Sequence, residues 1–476
     1  MIRALAIAFA AGALAGCTLE PSYVRPAPAT PTTWPVGAAY PPASPTPLPS
    51  LSYRDIFRDP HLQTIIASAL ANNQDLQAAL ANVGIARAQY RVQRAQLLPQ
   101  IDATAGAGES QSHTQAAGIT TNRRQIDRSF NADVGFSAFE LDLFGRLRSL
   151  SHAAQEQYLA SEAAERTARL TIIAEVASAY LTLATDRSLL AVAVETETSA
   201  AKSVDLTQAR LTGGVAPRSD LRQAQTVLNQ ARSDRANLTT LVAQDRNALE
   251  LLVGAQVPDA DLPASIESVD GLLGEAPAGL DSRILLRRPD VAQAEYQLRA
   301  ANAQIGAARA AFFPAISLTA LAGVASPALS ALFNDGSFVW SAQAAAAQTL
   351  FDGGANRGNL AAAKAQRDLA VAQYQKAIQT AFREVADALA RRGTINDQMA
   401  AQTDLEAAAS DSYALADARY KEGIDPFLNA LDAQRTLYSA RQSLAATRLI
   451  RADNLVTLYR SLGGDLLVEA GSATPR

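Results

Sequence analysis

Two short stretches decide the fold: ARLTGGVAP (residues 209–217) and ARYKEGIDP (residues 418–426). They lie 209 positions apart and share an Ala-Arg start, a glycine and a closing proline. Glycine allows the turn that ends a helix, and proline is tolerated in the first turn of the next helix. Each stretch therefore predicts the tip of a helical hairpin, and their likeness predicts a duplicated structural unit.

A second pair of matching stretches supports the duplication. LLPQI (residues 97–101) resembles FFPAI (residues 312–316), at an offset of 215 positions. Chance similarity between alanine-rich helices is the alternative explanation. Turn residues that match at both ends of the unit argue against chance, and the difference between the two offsets indicates small insertions.

Long helices are predicted between these turns. Apolar residues recur at coiled-coil spacing, as in Ile378, Phe382, Val385 and Leu389. The stretches 146–211 and 354–421 contain no proline, so each predicts a helix about 100 Å long. Shorter helices are predicted over 60–97, 218–252, 283–312 and 427–462. Two short helices stacked end to end would match one long helix.

At the other end of each long helix the apolar period changes to two, which is typical of strands. Alternation marks four runs, which begin at Ile101, Phe130, Ile316 and Phe338. They predict β-hairpins at about 99–143 and 314–350. Each run has about the length of a tilted membrane strand, although a half-buried soluble hairpin would show the same pattern.

The number of strands indicates an oligomer. Four strands cannot close a lipid-facing barrel, and an open edge in hydrocarbon leaves backbone groups unpaired. Three copies would supply twelve strands, and an even number of antiparallel strands can close into a barrel. The sequence therefore predicts a mainly α protein with a membrane β-barrel portion. The barrel is trimeric and twelve-stranded, and it continues into a long periplasmic α-helical coiled-coil barrel.

The N-terminus predicts an exported lipoprotein. A short basic start and a small apolar run precede Leu-Ala-Gly-Cys17, so residues 1–16 are predicted to be a lipoprotein signal peptide. Cys17 would carry diacylglycerol and palmitate. Thr18, in place of an aspartate, favours the outer membrane. We assign 17–58 to a lipidated tether and equatorial segment, 59–253 to the first repeat, 254–282 to an equatorial connector, 283–462 to the second repeat and 463–476 to a tail.

Several functional classes are not supported. A net charge of −4 indicates no nucleic-acid partner, and Cys17, the only cysteine, excludes an intramolecular disulfide. The three histidines are scattered, without ligand spacing, and no nucleophile elbow or phosphate loop is present. We therefore predict no enzymatic activity, no metal site and no cofactor apart from the N-terminal lipid.

At this point the sequence resembles the TolC-like outer-membrane factors, specifically the NodT-type lipoproteins of tripartite efflux pumps. The resemblance covers nearly the whole chain. Its motifs are PxYxRP from Pro21, YRDIFRDPHL from Tyr53, RRPDV from Arg287, NxxIG from Asn302, FPxIxL from Phe313, RYxxG from Arg419 and LDAQ from Leu431.

The resemblance implies a homotrimer in the outer membrane that extends into the periplasm. Its implied partners are a periplasmic adaptor protein and an inner-membrane transporter, often of the resistance-nodulation-division class. The channel would be a passive exit duct for small molecules such as drugs. A duct for secreted polypeptides or metal ions, and a non-channel periplasmic coiled-coil lipoprotein, stay open as alternatives.

Family positions also imply roles for residues near the tips. Leu428 and Asp432, at i and i+4 on one helix face, would form an apolar constriction and an acidic ring, to which Asp425 could add charge. Tyr420 and Asp220 would hold the mouth closed as a latch. From the residues alone, a solvated helix-face carboxylate is the better interpretation of Asp432, and the resemblance reverses that preference. For Leu428, an ordinary seam residue stays open as the alternative. The predicted adaptor contacts are Gly213, Gly214, Val215, Gly423 and Ile424.

Overall fold

The structure is a computed structural model that describes residues 18–41, 52–113, 124–269, 271, 273 and 282–464. Cys17 lies outside them. The helices are α1 (Tyr53–Ile56), α2 (Pro60–Asn72), α3 (Gln74–Ala95), α4 (Arg146–Thr212), α5 (Arg218–Val253), α6 (Ile266–Val269), α7 (Pro289–Ala310), α8 (Ala355–Lys421) and α9 (Phe427–Ser461). The strands are β1 (Asp102–His113), β2 (Arg124–Leu141), β3 (Ala315–Ser326) and β4 (Phe338–Ala347).

The two predicted long helices are confirmed, since α4 and α8 each contain 67 residues. Within the described ranges, no helix combines the length and the apolarity needed to cross a lipid bilayer. Contacts between Cα atoms divide the chain into two compact units. One unit contains residues up to 26, 83–161 and 294–374, and the other contains 27–82, 162–293 and 375–476.

The helix predicted over 60–97 is interrupted at Asn73, which has an extended backbone conformation. Its side-chain oxygen accepts a hydrogen bond from the backbone N–H of Leu76 at 3.0 Å and so caps α3. Its side-chain nitrogen donates to the carbonyl of Leu252 at 2.7 Å. Periodicity alone did not indicate this break, because apolar spacing continues on both sides of it.

The helix predicted over 283–312 begins later, at Pro289, because the residue before a proline avoids helical conformation. Residues Ser282–Arg287 form a 3₁₀ segment instead. Arg288 is buried and donates hydrogen bonds to the carboxylates of Asp290 and Glu384, each at 2.8 Å, and to the carbonyl of Ser461 at 2.7 Å. The charged side chains of this motif thus fix the start of α7.

The strands form one antiparallel sheet in the order β1-β2-β3-β4, and they lie over the four alternating runs. One face carries mostly apolar side chains, and the cross-strand row Ala103–Val134–Ala322–Trp340 is an example. The opposite face carries mostly polar and small residues, as in the row Thr104–Asp133–Gly323–Val339. This division into faces is the pattern of a membrane strand.

Two glycines allow β2 and β3 to approach closely on the polar face. A Cβ atom on Gly135 would lie 2.0 Å from the carbonyl oxygen of Ala320, and one on Gly323 would lie 2.2 Å from that of Ala132. Farther along β2, the register shifts between Phe136 and Phe139, which marks a β-bulge. Ala138 has a positive φ of 52° there.

In the unit that contains the sheet, the N-terminal segment (residues 18–26) is bound to α7. Arg309 donates a hydrogen bond to the carbonyl of Leu19 at 3.0 Å, and Asn302 donates to the carbonyl of Pro21 at 2.7 Å. Gly306 provides the space, because a Cβ atom there would lie 2.9 Å from the Cα of Glu20. The first described residues are therefore held at the C-terminal end of α7.

Charge pairs reinforce this attachment. Arg25 forms an ion pair with Glu295 at 2.9 Å. The ring of His152, on α4, lies 3.1 Å from Glu20 and 3.3 Å from Glu156. Hydrogen bonds to Glu156 and Glu20 raise the pKa of His152 to about 10, so the imidazolium stays charged at neutral pH.

The His152 contacts predict a pH dependence of stability. Because the folded-state pKa is about 10 and the unfolded value is about 6.5, this contribution is complete below about pH 6.5 and is lost as pH rises through about 10. In wild type, the thermal midpoint of unfolding should fall as pH rises from about 6.5 to about 10. We expect His152→Gln to make this fall smaller, measured by circular dichroism of the purified protein. Parallel pH profiles for the two proteins would contradict this assignment.

Candidate functional site at the paired helical tips

The two predicted tips have the same backbone geometry. Tip 1 (residues 209–217) joins α4 to α5, and tip 2 (residues 418–426) joins α8 to α9. Gly214 and Gly423 have positive φ angles of 73° and 75°. In tip 1 the N–H of Val215 donates to the carbonyl of Arg210 at 3.0 Å, and in tip 2 the equivalent bond, Ile424 to Arg419, is 2.9 Å. Both tips thus end their helices with a glycine-type cap.

Proline begins the next helix at both tips. Pro217 and Pro426 occupy the N-cap positions of α5 and α9 with extended backbone angles, and neither helix has a side-chain cap there. The exposed fractions of Val215 and Ile424 are 76% and 61%. Each tip therefore presents one apolar side chain beside its glycine.

Tyr420 lies at the centre of an apolar cluster between the tips. Its side chain is 5% exposed, and its ring centroid lies 5.1 Å from that of Phe427. Ala200, Ala224, Val227, Leu228, Ala430 and Leu431 complete the buried cluster. Because its members come from α4, α5, α8 and α9, the cluster holds the two tips together.

Arg210 makes a polar contact between the two tips. Its guanidinium lies 4.6 Å from the ring centroid of Tyr420, a cation–π distance, and donates a hydrogen bond to the Tyr420 carbonyl at 2.9 Å. That carbonyl is near the end of α8, where a cation also compensates the helix dipole. Sequence reasoning missed this role, although arginine stands at the same place in both repeats, as Arg210 and Arg419.

Arg419, the equivalent residue in tip 2, makes a local pair instead. Its guanidinium donates two hydrogen bonds to the carboxylate of Asp425, at 2.6 and 3.2 Å. This pairing holds the pKa of Asp425 below its usual value. The charge of Asp425 is therefore balanced within its own turn, which leaves less of it for an acidic ring.

Leu428 and Asp432 lie on an exposed face of α9. Leu428 is 50% exposed, although Phe427 and Ala430, close to it on α9, are buried in the cluster. Asp432 is exposed, and Asn429, between them, is exposed and uncharged. An apolar side chain and an exposed carboxylate are thus presented together, one helical turn apart.

The predicted latch residues are not hydrogen-bonded to each other in this structure. The Tyr420 hydroxyl is buried and has no hydrogen-bond partner, and the carboxylate of Asp220 accepts a hydrogen bond from Ser219 at 3.2 Å. An unpaired buried hydroxyl costs free energy, so a partner for it would stabilise the tip.

A cavity of about 490 Å³ lies beside Tyr420. Its wall includes Ser199, Lys202, Tyr413 and Gln434. The hydroxyls of Ser199 and Tyr413 are 2.8 Å apart. In the described part of the chain, no cluster of three or more His, Cys, Asp or Glu side chains is placed to hold a metal ion.

The tips, the long helices and the sheet define a class: proteins that combine two long helical hairpins with one four-stranded antiparallel sheet. Comparison with known proteins supports this. The family model of the outer membrane efflux protein matches residues 65–255 and 280–464. The toluene efflux pump outer membrane protein TtgC of Pseudomonas putida is 44% identical over 471 residues, with 98% of this chain and 97% of that protein covered.

Other relatives agree. The outer membrane protein OprJ of Pseudomonas aeruginosa is 39% identical, with 97% of this chain and 95% of that protein covered. Among solved structures, the open state of the Neisseria gonorrhoeae MtrE outer membrane channel is 35% identical, with a TM-score of 0.84. That match covers 94% of this chain and 99% of MtrE. The chain belongs to the outer membrane efflux protein family, whose members are channel proteins and not enzymes.

The Arg210 contacts predict that this residue keeps tip 2 closed against α4. We expect Arg210→Met to increase the amide exchange rate of residues 420–424 about ten- to hundredfold, because a charged hydrogen bond and a cation–π contact are both lost. Hydrogen–deuterium exchange with mass spectrometry would measure it. Arg218→Met, an exposed arginine at the start of α5, is the matched control, and equal exchange in both variants would contradict the role.

Proposed function

We propose that the chain is one subunit of a trimeric exit duct of a tripartite efflux system, driven by an inner-membrane transporter through a periplasmic adaptor. Membership of the family supports the efflux role and the outer membrane location. The observation that carries the trimer is the four-stranded sheet, whose outer strands β1 and β4 each pair on one side only. Further copies of the chain would pair both edges.

The duct itself is passive in this proposal. Three copies supply twelve strands for a closed barrel, and their long helices form a tunnel below it. A resistance-nodulation-division transporter is the proposed source of energy. The exposed apolar residues of the tips, Val215 and Ile424, with Gly213, Gly214 and Gly423, are the proposed contacts of the adaptor.

Small organic molecules are the proposed cargo. Relatives from Pseudomonas putida are named as toluene, solvent and antibiotic efflux proteins. Nothing in the described site is specific for metal ions or extended polypeptides, although either remains an alternative cargo, since the partner transporter selects it. A non-channel helical spacer is the alternative of a different class.

Lipidation of Cys17 with diacylglycerol and palmitate is the proposed additional anchor. Its support is the sequence around Cys17 and the hydrogen bond from Arg309 that holds Leu19, two residues later. A single lipid signal holds a protein weakly, so the proposed barrel supplies the firmer attachment.

At the mouth of the proposed duct, Leu428 forms the apolar constriction and Asp432 forms the acidic ring. Three carboxylates around a threefold axis repel each other and attract cations. Asp425 contributes less, because Arg419 neutralises it. The exposure of Leu428 and Asp432 on one face of α9 supports this assignment.

The acidic ring predicts block by multivalent cations. We expect the trivalent hexamminecobalt ion to block wild-type channels reconstituted in planar bilayers, and Asp432→Asn to raise the half-blocking concentration about tenfold or more, because three charges are lost together. Asp411→Asn, an exposed carboxylate on α8, is the matched control. Discrete openings with equal block in all three proteins would reject the acidic ring, and no openings in any would favour the spacer.

The latch is a separate part of the proposal, in which Asp220 accepts a hydrogen bond from the Tyr420 hydroxyl when the mouth is closed. The buried, unpaired hydroxyl supports it. We expect the double variant Tyr420→Phe, Asp220→Ala to open more often than wild type in planar bilayers. Tyr413→Phe removes a hydroxyl from the same cavity and should not change opening; unchanged conductance in the double variant would refute the latch.

A further inference from the structure

The cavity beside Tyr420 has the size of a small-molecule site. Its volume is about 490 Å³, and sites for small organic molecules run from about 300 to 1,000 Å³. Its wall consists of side chains of α4, α8 and α9 near the two tips. Leu428 and Asp432 are not part of this wall. The cavity is therefore a second feature of the tips, apart from the proposed constriction.

Aromatic and apolar side chains give the cavity a surface that suits a flat ring. These wall residues are Leu206, Tyr413, Tyr420, Phe427 and Ala430. Tyr420 and Phe427 are buried with their ring centroids 5.1 Å apart, so the packing of the cluster fixes their positions. Aromatic rings that pack against each other gain free energy beyond the area that they bury. The wall thus favours a ligand with an aromatic ring.

One hydrogen-bond donor on the wall lacks a partner. Tyr420 is 5% exposed, and its hydroxyl has no hydrogen-bond partner among the described residues. By contrast, the hydroxyls of Ser199 and Tyr413 are bonded to each other at 2.8 Å, and the amide of Gln434 donates to Ser199 at 3.4 Å. The Tyr420 hydroxyl is therefore the buried wall group that an acceptor on a ligand would satisfy.

The wall also carries one cation whose charge is not balanced by an ion pair. Its carboxylates are already engaged, since Glu195 pairs with Arg441 at 2.9 Å and Asp417 pairs with Lys421 at 2.6 Å. Lys202 is exposed at the edge of the same cavity, and within the described ranges it forms no ion pair. A ligand with a negative charge would supply the missing partner.

We propose that this cavity binds a small aromatic carboxylate. Its ring packs against Tyr413 and Phe427. Its carboxylate accepts a hydrogen bond from the Tyr420 hydroxyl and is attracted by the ammonium group of Lys202. A hydrogen bond to a charged acceptor is roughly twice as strong as one to a neutral acceptor, which favours a carboxylate over an amide or an alcohol.

Binding competes with the proposed latch, because the Tyr420 hydroxyl has one hydrogen to donate. When the ligand is bound, that hydrogen bonds to the ligand carboxylate and is not available to Asp220. The ligand therefore favours the open mouth. This consequence rests on the latch of the proposed function, whereas the binding site itself rests on the cavity.

Isothermal titration calorimetry of the detergent-purified protein tests the site, with cinnamate as the probe. We expect one cinnamate to bind per chain. Lys202→Met and Tyr420→Phe should each weaken binding about three- to tenfold, because each removes one contact of the carboxylate. Lys202 is exposed and Tyr420→Phe keeps the buried ring, so both variants should fold. Lys376→Met, at an exposed lysine of α8 outside the wall, is the matched control and should bind as wild type does.

The neutral analogue cinnamamide separates charge from shape. It should bind to wild type more weakly than cinnamate does, and Lys202→Met should not weaken its binding further. No binding of cinnamate by wild type, or equal affinities in wild type, Lys202→Met and Tyr420→Phe, would overturn the site.

A third variant tests the competition. Asp220→Ala should tighten the binding of cinnamate, since the latch no longer holds the hydroxyl. An unchanged affinity in this variant would overturn the competition and leave the site standing. Because calorimetry does not require the protein to conduct, these results are independent of whether the proposed duct is correct.

Discussion

A backbone N–H or carbonyl group in hydrocarbon must have a hydrogen-bond partner inside the protein, and the proposed trimer depends on this requirement. Helices meet it within themselves, whereas a four-stranded sheet leaves one edge of β1 and one of β4 unpaired. The apolar face of the sheet and its narrow glycine contacts at Gly135 and Gly323 suit a curved wall. In the proposed trimer, one chain supplies one third of a closed barrel.

The two repeats share their backbone structure, but their side-chain contacts differ at the tips, where the repeats meet. The backbone bonds of the tips are the same, but equivalent side chains make different contacts. Arg210 crosses to the carbonyl of Tyr420, whereas Arg419 pairs with Asp425 in its own turn. Leu211, at the place of Tyr420, has no hydroxyl to offer. The repeats therefore share a scaffold while only the second carries the tyrosine and the acidic residue beside the turn.

Much of the fold could be predicted from the sequence, because long helices and alternating strands leave strong periodic signals. The bounds of α4 and α8, both hairpin tips and all four strands follow from such patterns. The break at Asn73 could not be predicted in this way, since it depends on the distant carbonyl of Leu252. At the site, spacing placed Leu428 and Asp432 on one face, but the contacts of Arg210 depend on how two hairpins pack, which no local pattern encodes.

The attachment of the N-terminal segment to α7 fixes the position of the first described residues along that helix. Hydrogen bonds to the carbonyls of Leu19 and Pro21 fix the position of Thr18 relative to the end of that helix. The space at Gly306 lets the segment pack closely against the helix surface. Residues added within the proline-rich stretch after Pro26 would leave the position of Thr18 along α7 unchanged. Residues added between Thr18 and Pro21 would loosen this attachment, and the lipid proposed on Cys17 could then lie at a different depth in the membrane.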